Sequence, residues 1–250
     1  MNKVLVTIKP VIDPQRGMRL KADALTVETH GVKHIMNPFD EVALEQGIRW
    51  VEQGIASELV VVSVGRSDHQ DLLRQALALG AHRAVLVVTQ QRWCCLSIAK
   101  ILHHVIGLEK PDCVLMGKQS VDGDHNQTPQ MLAELLHWPQ VTFASHIDRD
   151  VDRVLVTREL DRGQERVEVT LPAVISVDLR LNTLRYVSLP LLMKAKQKPL
   201  TLLPLEQCDL SLRAHTQVIA MERVSHHRVM QRLDSVDALI DKLQQEVGVI

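Results

Sequence analysis

The sequence has very few aromatic residues: three Trp, two Phe and one Tyr among 250 residues. Hydrophobic residues nevertheless make up 46% of the chain, so a core must be built from Val, Leu, Ile, Ala and Met. That amount of apolar material is typical of a globular protein and argues against a disordered chain. The scarcity of aromatics also disfavours the stacking platforms with which proteins bind single-stranded nucleic acids.

An excess of positive charge is missing as well. The chain has 29 Lys and Arg residues against 30 Asp and Glu residues, for a formal net charge of -1. Proteins that bind phosphate backbones are normally more basic, so we expect no nucleic-acid partner. The longest apolar runs, such as residues 59–64, are far shorter than the roughly 20 residues of a membrane span. We therefore expect no membrane insertion.

Cysteine spacings and the common enzymatic motifs are also lacking. Cys94, Cys95, Cys113 and Cys208 form no CxxC pair, which favours reduced thiols over a disulfide framework. The chain contains no GxGxxG, GxxxxGK[ST], HExxH or GxSxG motif. The paired histidines 103–104 and 226–227 are poor chelates, because neighbouring side chains on a helix point in different directions. We expect neither a catalytic residue nor a metal site.

Apolar runs of strand length alternate with helical segments in the first half of the chain. The predicted strands are 3–9, 59–64, 84–88 and 113–116. The predicted helices are 67–79, 97–106 and two that begin at the N-cap-plus-proline pairs Asn37-Pro38 and Thr128-Pro129. This alternation predicts an α/β fold with a mostly parallel open sheet and helices on both faces.

The second half of the chain follows another pattern. Residues 151–156 and 166–171 are predicted to form an antiparallel pair, and residues 173–177 one more strand. Residues 17–29 suggest a hairpin, and residues 179–203 lack a clear period and are interpreted as an extended loop. A C-terminal helix is predicted from the apolar positions Leu233, Val236, Ile240, Leu243 and Val247. We expect a domain at 1–200 and an arm with a helix at 201–250.

One polar segment stands out, from Gly117 to Thr128. It follows a predicted strand and precedes a helix, which is where open α/β sheets bind ligands. A helix N-terminus there offers free N–H groups to a phosphate, and Asp122 and Asp124 can accept bonds from ribose or adenine. Residues 7–9 and 64–65 and the 37–40 turn would lie at the same edge. The segment is either a nucleotide site or a polar loop before a well-capped helix.

Several long strings in this order resemble one known family. They include residues 3–6 with 11–13, residues 31–41, residues 117–128, residues 138–145 and residues 178–196. The chain is similar along nearly its whole length to the beta subunit of the electron transfer flavoprotein. That protein is a heterodimer that carries electrons from acyl-CoA dehydrogenases.

The resemblance implies a Rossmann-like, adenine-nucleotide-binding domain with an extended C-terminal arm that wraps a larger alpha subunit. FAD would be shared and held mainly by the alpha subunit, with Phe39 near the flavin edge. The beta subunit would bury a structural AMP and perform no bond-making chemistry. The cofactor-binding residues implied are Thr7, Asn37, Pro38, Phe39, Asp40, Val64, Gly117, Lys118, Gln119, Ser120, Val121, Asp122, Gly123, Asp124, His125, Asn126, Gln127 and Thr128.

The resemblance also implies a partner-recognition loop near residues 183–198, in which Leu189 enters a pocket of a flavin dehydrogenase. The recognition residues implied are Tyr186, Leu189, Pro190, Met193, Lys194 and Lys196. Lys194, Lys196 and Lys198 would steer acidic partner surfaces. From the residues alone, a core-packing loop with solvated lysines is the alternative.

The implied partners are the alpha subunit, acyl-CoA or related flavin dehydrogenases, and a quinone oxidoreductase that receives the electrons. The implied location is the bacterial cytoplasm, or the mitochondrial matrix in a eukaryote. Two alternatives stay open. One is an electron-bifurcating relative, in which a second FAD replaces AMP. The other is a stand-alone adenine-nucleotide-binding module.

Overall fold

A computed structural model describes residues 1–15, 19–23, 25–28, 31–149, 153–224 and 230–248. The chain divides into two compact units. The larger contains residues 1–19 and 28–218, and the smaller contains residues 20–27 and 219–250. In the described part of the chain, no helix combines the length and the apolar character that crossing a membrane requires.

In the residues that the structure describes, the larger unit is built on eleven strands. Their bounds are β1 Lys3–Thr7, β2 Pro10–Ile12, β3 His34–Met36, β4 Glu58–Gly65, β5 Arg83–Val88, β6 Cys113–Gly117, β7 Gln140–Arg149, β8 Arg153–Leu160, β9 Gly163–Thr170, β10 Ala173–Val177 and β11 Leu200–Pro204. Nine of them form one sheet in the order β11-β5-β4-β1-β6-β10-β7-β8-β9, and β2 pairs with β3. The sheet is parallel from β11 to β7 and antiparallel from β7 to β9.

The helices cover both faces of this sheet. Those of the larger unit are α1 Pro38–Glu52, α2 Gln70–Leu79, α3 Cys95–Glu109, α4 Thr128–Leu136 and α5 Leu189–Ala195. Successive residues of β1 face opposite sides, so Val4 and Val6 pack with α1 and α2, whereas Leu5 packs with α3 and α4. Both clusters are almost wholly aliphatic, with Trp50 of α1 as the large exception. The prediction of an α/β fold with helices on both faces is confirmed.

Most predicted elements lie within a few residues of their observed bounds. The strand predicted at 3–9 ends at Thr7, and the helix predicted at 97–106 continues through Gly107 to Glu109. The predicted antiparallel pair is β8 with β9. The four cysteines are free thiols, as expected. Within the hairpin predicted at 17–29, Leu20 and Val27 form an isolated antiparallel bridge, while residues 17, 18, 24 and 29 lie outside the described residues.

The extended loop predicted at 179–203 is wrong. This stretch contains the helix α5 and the strand β11, which pairs with β5 in parallel register. Pro190 stands in the first turn of α5. A backbone N–H at this position has no partner within the helix, so a proline, which lacks the N–H, costs no hydrogen bond there. Ala195 is fully buried at the end of the helix. One buried position in two turns is too weak a signal for periodicity to detect.

The smaller unit contains the C-terminal helix α6, Val236–Lys242, followed by one π-helical turn at Leu243–Val247. Ser235 caps α6 by accepting a hydrogen bond from the backbone N–H of Ala238. The helix is present as predicted, yet two residues of its predicted apolar face, Val236 and Ile240, are 72% and 39% exposed. The helix therefore presents an apolar face that this unit does not bury.

Candidate functional site

The candidate site lies where three adjacent strands of the sheet, β4, β1 and β6, end. From β1 the chain builds outward through β4 to β5 on one side and then crosses back to β6 on the other side of β1. Such a switch point opens a crevice at the carboxyl ends of the strands. Thr7 ends β1, Gly65 ends β4 and Gly117 ends β6. The sequence-predicted residues Thr7, Val64 and 117–128 are therefore brought to one edge of the sheet.

The first half of the 117–128 loop is held in place by side chains from neighbouring elements. Asn37 donates from Nδ2 to the carbonyl oxygen of Gln119 at 2.9 Å, and its Oδ1 accepts from the N–H of Val121 at 3.1 Å. The Lys9 ammonium donates to Ser120 Oγ at 2.9 Å and pairs with Asp122 Oδ1 at 2.6 Å. Four consecutive residues are thus fixed by two side chains.

Asn37 does not play the part that its sequence position suggests. It stands at the N-cap position of α1, yet its side chain makes no capping bond to that helix. The side chain is almost fully buried, and both ends of its amide are taken by the loop. The predicted boundary of α1 is correct, while the predicted capping by Asn37 is wrong.

Asp40 joins two strand ends from the first turn of α1. Its Oδ2 accepts from the N–H of Lys9 at 2.8 Å, and its Oδ1 accepts from the N–H of Gly117 at 3.0 Å. Burial raises the pKa of the Asp40 carboxyl to about 7, although hydrogen bonds from Lys9, Asn37 and Gly117 lower it. Gly117 is required here, because a Cβ at this position would overlap Asp40 Oδ1 and lie 2.7 Å from Phe39 Cβ.

The second half of the 117–128 loop has a different character. Asp124 and Asn126 adopt the left-handed conformation, with φ of 52° and 50°. Left-handed residues in a loop can turn backbone N–H groups toward one side and form a concavity for an anion, although the N–H of Asp124 itself is bonded to the carbonyl oxygen of Ser120 at 2.8 Å. The N-cap residue Gln127 makes no side-chain capping bond to α4, so the N–H groups of its first two non-proline residues, Thr128 and Gln130, are the ones open to a ligand. This half is open: Asp124, His125 and Gln127 are exposed.

The second residue of this loop, Lys118, carries a cation that is enclosed by other side chains. Lys118 donates to Asp178 Oδ2 at 2.7 Å, and its ammonium stands 5.4 Å from the ring centroid of Phe39 and 5.3 Å from that of Phe143. Burial raises the pKa of Asp178, but the hydrogen bonds from Lys118 and from the Arg180 backbone, together with the charges of these two residues, outweigh it, and the net shift is downward. Phe143 adopts φ of 62°, an uncommon conformation for a bulky residue and typical of functional sites.

The sequence placed Lys9 at this edge within residues 7–9 but assigned it no role, and it did not single out Phe143 or Asp178 as site residues. Lys9 is the second residue after β1, so its position after a strand was the available signal. Phe143 and Asp178 reach the site from β7 and from the end of β10, and nothing in their local sequence indicates a left-handed turn or a pairing with Lys118. Phe39, expected near the flavin, is 7% exposed and faces Lys118.

The predicted recognition segment forms a separate surface around α5. Tyr186, Leu189 and Met193 are 99%, 79% and 63% exposed. Pro190, Lys194 and Lys196 are exposed too. The segment is attached to α1, because Arg185 donates to Glu45 at 2.7 Å and to Glu52 at 2.6 Å.

Lys198, expected to steer partners, is used internally. Its ammonium donates to the carbonyl oxygens of Leu77 and Ala81, at 2.8 Å and 2.7 Å. Burial lowers the pKa of Lys198. Lys194 and Lys196 remain the exposed cations of this surface.

Fold and site together define an open α/β protein with a polar loop, residues 117–128, at its switch point. The electron transfer flavoprotein domain model matches residues 24–207. The chain is 44% identical to the mitochondrial electron transfer flavoprotein subunit beta of Arabidopsis thaliana, over 99% of this chain and all of that protein. It is 41% identical to the subunit beta of Bradyrhizobium diazoefficiens over 99% and 100% of the two chains, and 40% identical to that of Homo sapiens over 98% of each. The chain belongs to the beta-subunit family of electron transfer flavoproteins.

Proposed function

We propose that this chain pairs with an alpha subunit and helps to hold FAD. In this proposal it binds AMP at the 117–128 loop and docks flavin dehydrogenases, from which electrons pass toward a quinone oxidoreductase. The observation that carries the nucleotide site is the division of the loop into a fixed half and an open half. The fixed half is held by Lys9, Asn37 and Asp40, and the open half leads into the uncapped N-terminus of α4.

The residues fit an AMP phosphate. The open half combines two left-handed residues, Asp124 and Asn126, with the positive end of the α4 dipole. Gly123 has no side chain, so a ligand can approach its backbone closely. A Cβ at this position would also lie 2.8 Å from His125 Nδ1. The surrounding polar groups of Gln119 and Gln127 can serve the ribose and the adenine. AMP in this role fixes the loop and takes no part in a reaction.

The chemistry that FAD supplies when bound is electron transfer, so the chain needs no nucleophile or general base of its own. What this chain offers beside the nucleotide loop is a rigid, half-buried wall. Phe39 and Phe143 enclose Lys118, which Asp178 holds in place. A wall of this kind keeps water from a flavin edge and carries a fixed positive charge beside it. We assign the shielding of the flavin edge to Phe39, together with Phe143 and Lys118.

The surface around α5 is suited to docking. An exposed Leu189 flanked by Met193 and two lysines gives an apolar anchor with a charged rim. The exposed apolar face of α6 similarly suits attachment to an alpha subunit. We place the complex in the bacterial cytoplasm, or in the mitochondrial matrix where the source is a eukaryote.

The nucleotide content of the complex tests this function. The chain is co-purified with the large subunit from the same source, the complex is denatured, and the released nucleotides are identified and counted. FAD and AMP in equal amounts are expected. Two FAD per heterodimer would instead identify the electron-bifurcating type. A stable monomer that carries AMP or ATP and no flavin would overturn both readings in favour of a stand-alone nucleotide-binding module.

A further inference from the structure

Asp40 is the point at which the two strand ends of the site are joined. It lies in the first turn of α1 and is 5% exposed. Each of its carboxylate oxygens accepts one backbone N–H, from the residue that ends β6 and from the second residue after β1. The side chain of Lys9 also holds the fixed half of the loop, through Ser120 and Asp122. Gly117 is the first residue of that half.

This arrangement requires the charged form of the carboxyl. A carboxylate is an acceptor at both oxygens, whereas a protonated carboxyl carries one O–H donor. Protonation would set that O–H against one of the two N–H groups, and one strand end would lose its acceptor. The charged form is nevertheless costly, because the group is buried. The two forms are thus closely balanced near neutral pH.

We propose that Asp40 is a positioning residue that must be ionised for the 117–128 loop to hold its ligand-binding form, so that nucleotide binding expels a proton from Asp40. This inference rests on the proposed function for its ligand, an adenine nucleotide with a terminal phosphate. The loop itself begins at Gly117, and it is the backbone N–H of Gly117 that Asp40 binds. Loss of that bond releases the loop at its first residue, upstream of the phosphate-binding half.

The charged groups around Asp40 leave its charged and neutral forms close in free energy. The ammonium of Lys9 acts on Asp40 through space but is paired with Asp122 and bound to Ser120. Lys118, next to Gly117, is paired with Asp178. Glu41, the following residue of α1, has its own pKa raised by burial. Nucleotide and proton therefore compete through Asp40, and affinity is expected to rise with pH up to about 7 and to level off above it.

The first test uses the ligand-free full-length chain, labelled with nitrogen-15. The amide signals of Lys9 and Gly117 are followed as the pH is raised from about 5.5 to about 8.5. Both signals are expected to shift with one common midpoint near neutral pH. They should not shift in Asp40→Asn, which resembles the neutral acid in shape and hydrogen bonding. Glu41→Gln, one residue away, should retain the wild-type midpoint.

The second test measures the affinity of the same chains for AMP over that pH range. The phosphate of AMP titrates in all three proteins, so the difference between wild type and Asp40→Asn isolates the carboxyl. Between about pH 8 and pH 6 the wild type should lose roughly tenfold more affinity than Asp40→Asn. At about pH 8 the variant should bind roughly tenfold more weakly than the wild type, because its neutral side chain cannot accept from both N–H groups. Glu41→Gln should follow the wild type.

Three results are decisive. Equal pH profiles for AMP affinity in wild type and Asp40→Asn would overturn the inference. So would Lys9 and Gly117 signals that do not titrate in the wild type, a result that does not depend on the variant folding. A shared titration of those amides without any AMP binding would support the proton-controlled loop and overturn the proposed nucleotide site instead.

Discussion

Arg74 of α2 binds the C-terminal end of α5, and Lys198, three residues beyond α5, binds the C-terminal end of α2. Arg74 of α2 donates from Nη1 to the carbonyl oxygens of Ala195 and Lys198, at 2.9 Å and 2.7 Å, and so closes the C-terminal end of α5. Lys198 returns its ammonium to the carbonyl oxygens of Leu77 and Ala81 at the end of α2. Cations at helix C-termini satisfy carbonyls that lack an intrahelical partner. The proposed docking helix is thereby fixed to the main core.

We predict that Arg74→Gln loosens α5. The variant loses two charge-assisted bonds, so the free energy of unfolding should fall by about 1–3 kcal/mol. Hydrogen exchange in residues 189–198 should accelerate more than in the rest of the chain. Gln75→Ala, at the exposed neighbouring position of α2, is the control and should change neither quantity. An unchanged exchange rate in Arg74→Gln would mean that packing of Ala195 alone holds the helix.

This reciprocal capping illustrates what could be predicted from the sequence. The parallel strands and the helices α1 to α4 follow from long periodic segments, and the strand-end loops follow from the rule for open sheets. The prolines Pro38 and Pro129 correctly mark the starts of α1 and α4, but Thr128 is the first residue of α4 and the N-cap position is Gln127, so the predicted N-cap is wrong there.

α5 could not be predicted in this way, because its C-terminal carbonyl groups are bound by Arg74, about 120 residues earlier in the chain. Likewise, Asn37 looks like a helix cap in sequence, and only the folded chain brings Gln119 and Val121 to its amide.

Leu189→Ala is predicted to impair docking without loss of cofactor. The side chain is 79% exposed, so its removal should leave the free energy of unfolding nearly unchanged. Reduction of the heterodimer by a flavin dehydrogenase should slow, while the FAD content stays intact. Leu192→Ala provides the contrast, because Leu192 packs on the core and its truncation should cost about 1–3 kcal/mol of stability. Loss of FAD from Leu189→Ala would instead mean that this residue is structural.

Gly117→Ala is predicted to damage the site through sterics. The added methyl group would overlap Asp40 Oδ1 and lie 3.0 Å from the backbone carbon of Phe39. Separation of these elements should lower the free energy of unfolding by about 1–3 kcal/mol and abolish AMP binding. The matched control is Gly107→Ala in α3, where a Cβ meets nothing within 4 Å. That substitution should stabilise the protein by about 0.5–1 kcal/mol, because alanine is the better helix former. Calorimetric unfolding of both variants, with and without AMP, measures these effects.

A charge network at the opposite edge of the sheet predicts a pH effect on stability. Glu109 accepts from Arg83 at 2.7 Å and pairs with Lys3 at 3.3 Å, and its side chain is 13% exposed. The hydrogen bond from Arg83 lowers the pKa of Glu109, against burial, which raises it. A carboxyl whose folded pKa is depressed contributes stability above its unfolded pKa, and that stability is lost as the pH falls through the folded value.

Glu109→Gln should therefore lower the free energy of unfolding by about 1–3 kcal/mol at neutral pH. The difference between wild type and variant should shrink as the pH falls below about 4.5, because the wild-type carboxyl then becomes protonated as well. Denaturant unfolding at a series of pH values measures both effects. Glu134→Gln, at an exposed position of α4, should track the wild type throughout. A constant gap between wild type and Glu109→Gln down to low pH would assign the effect to side-chain packing and not to the ion pair with Arg83.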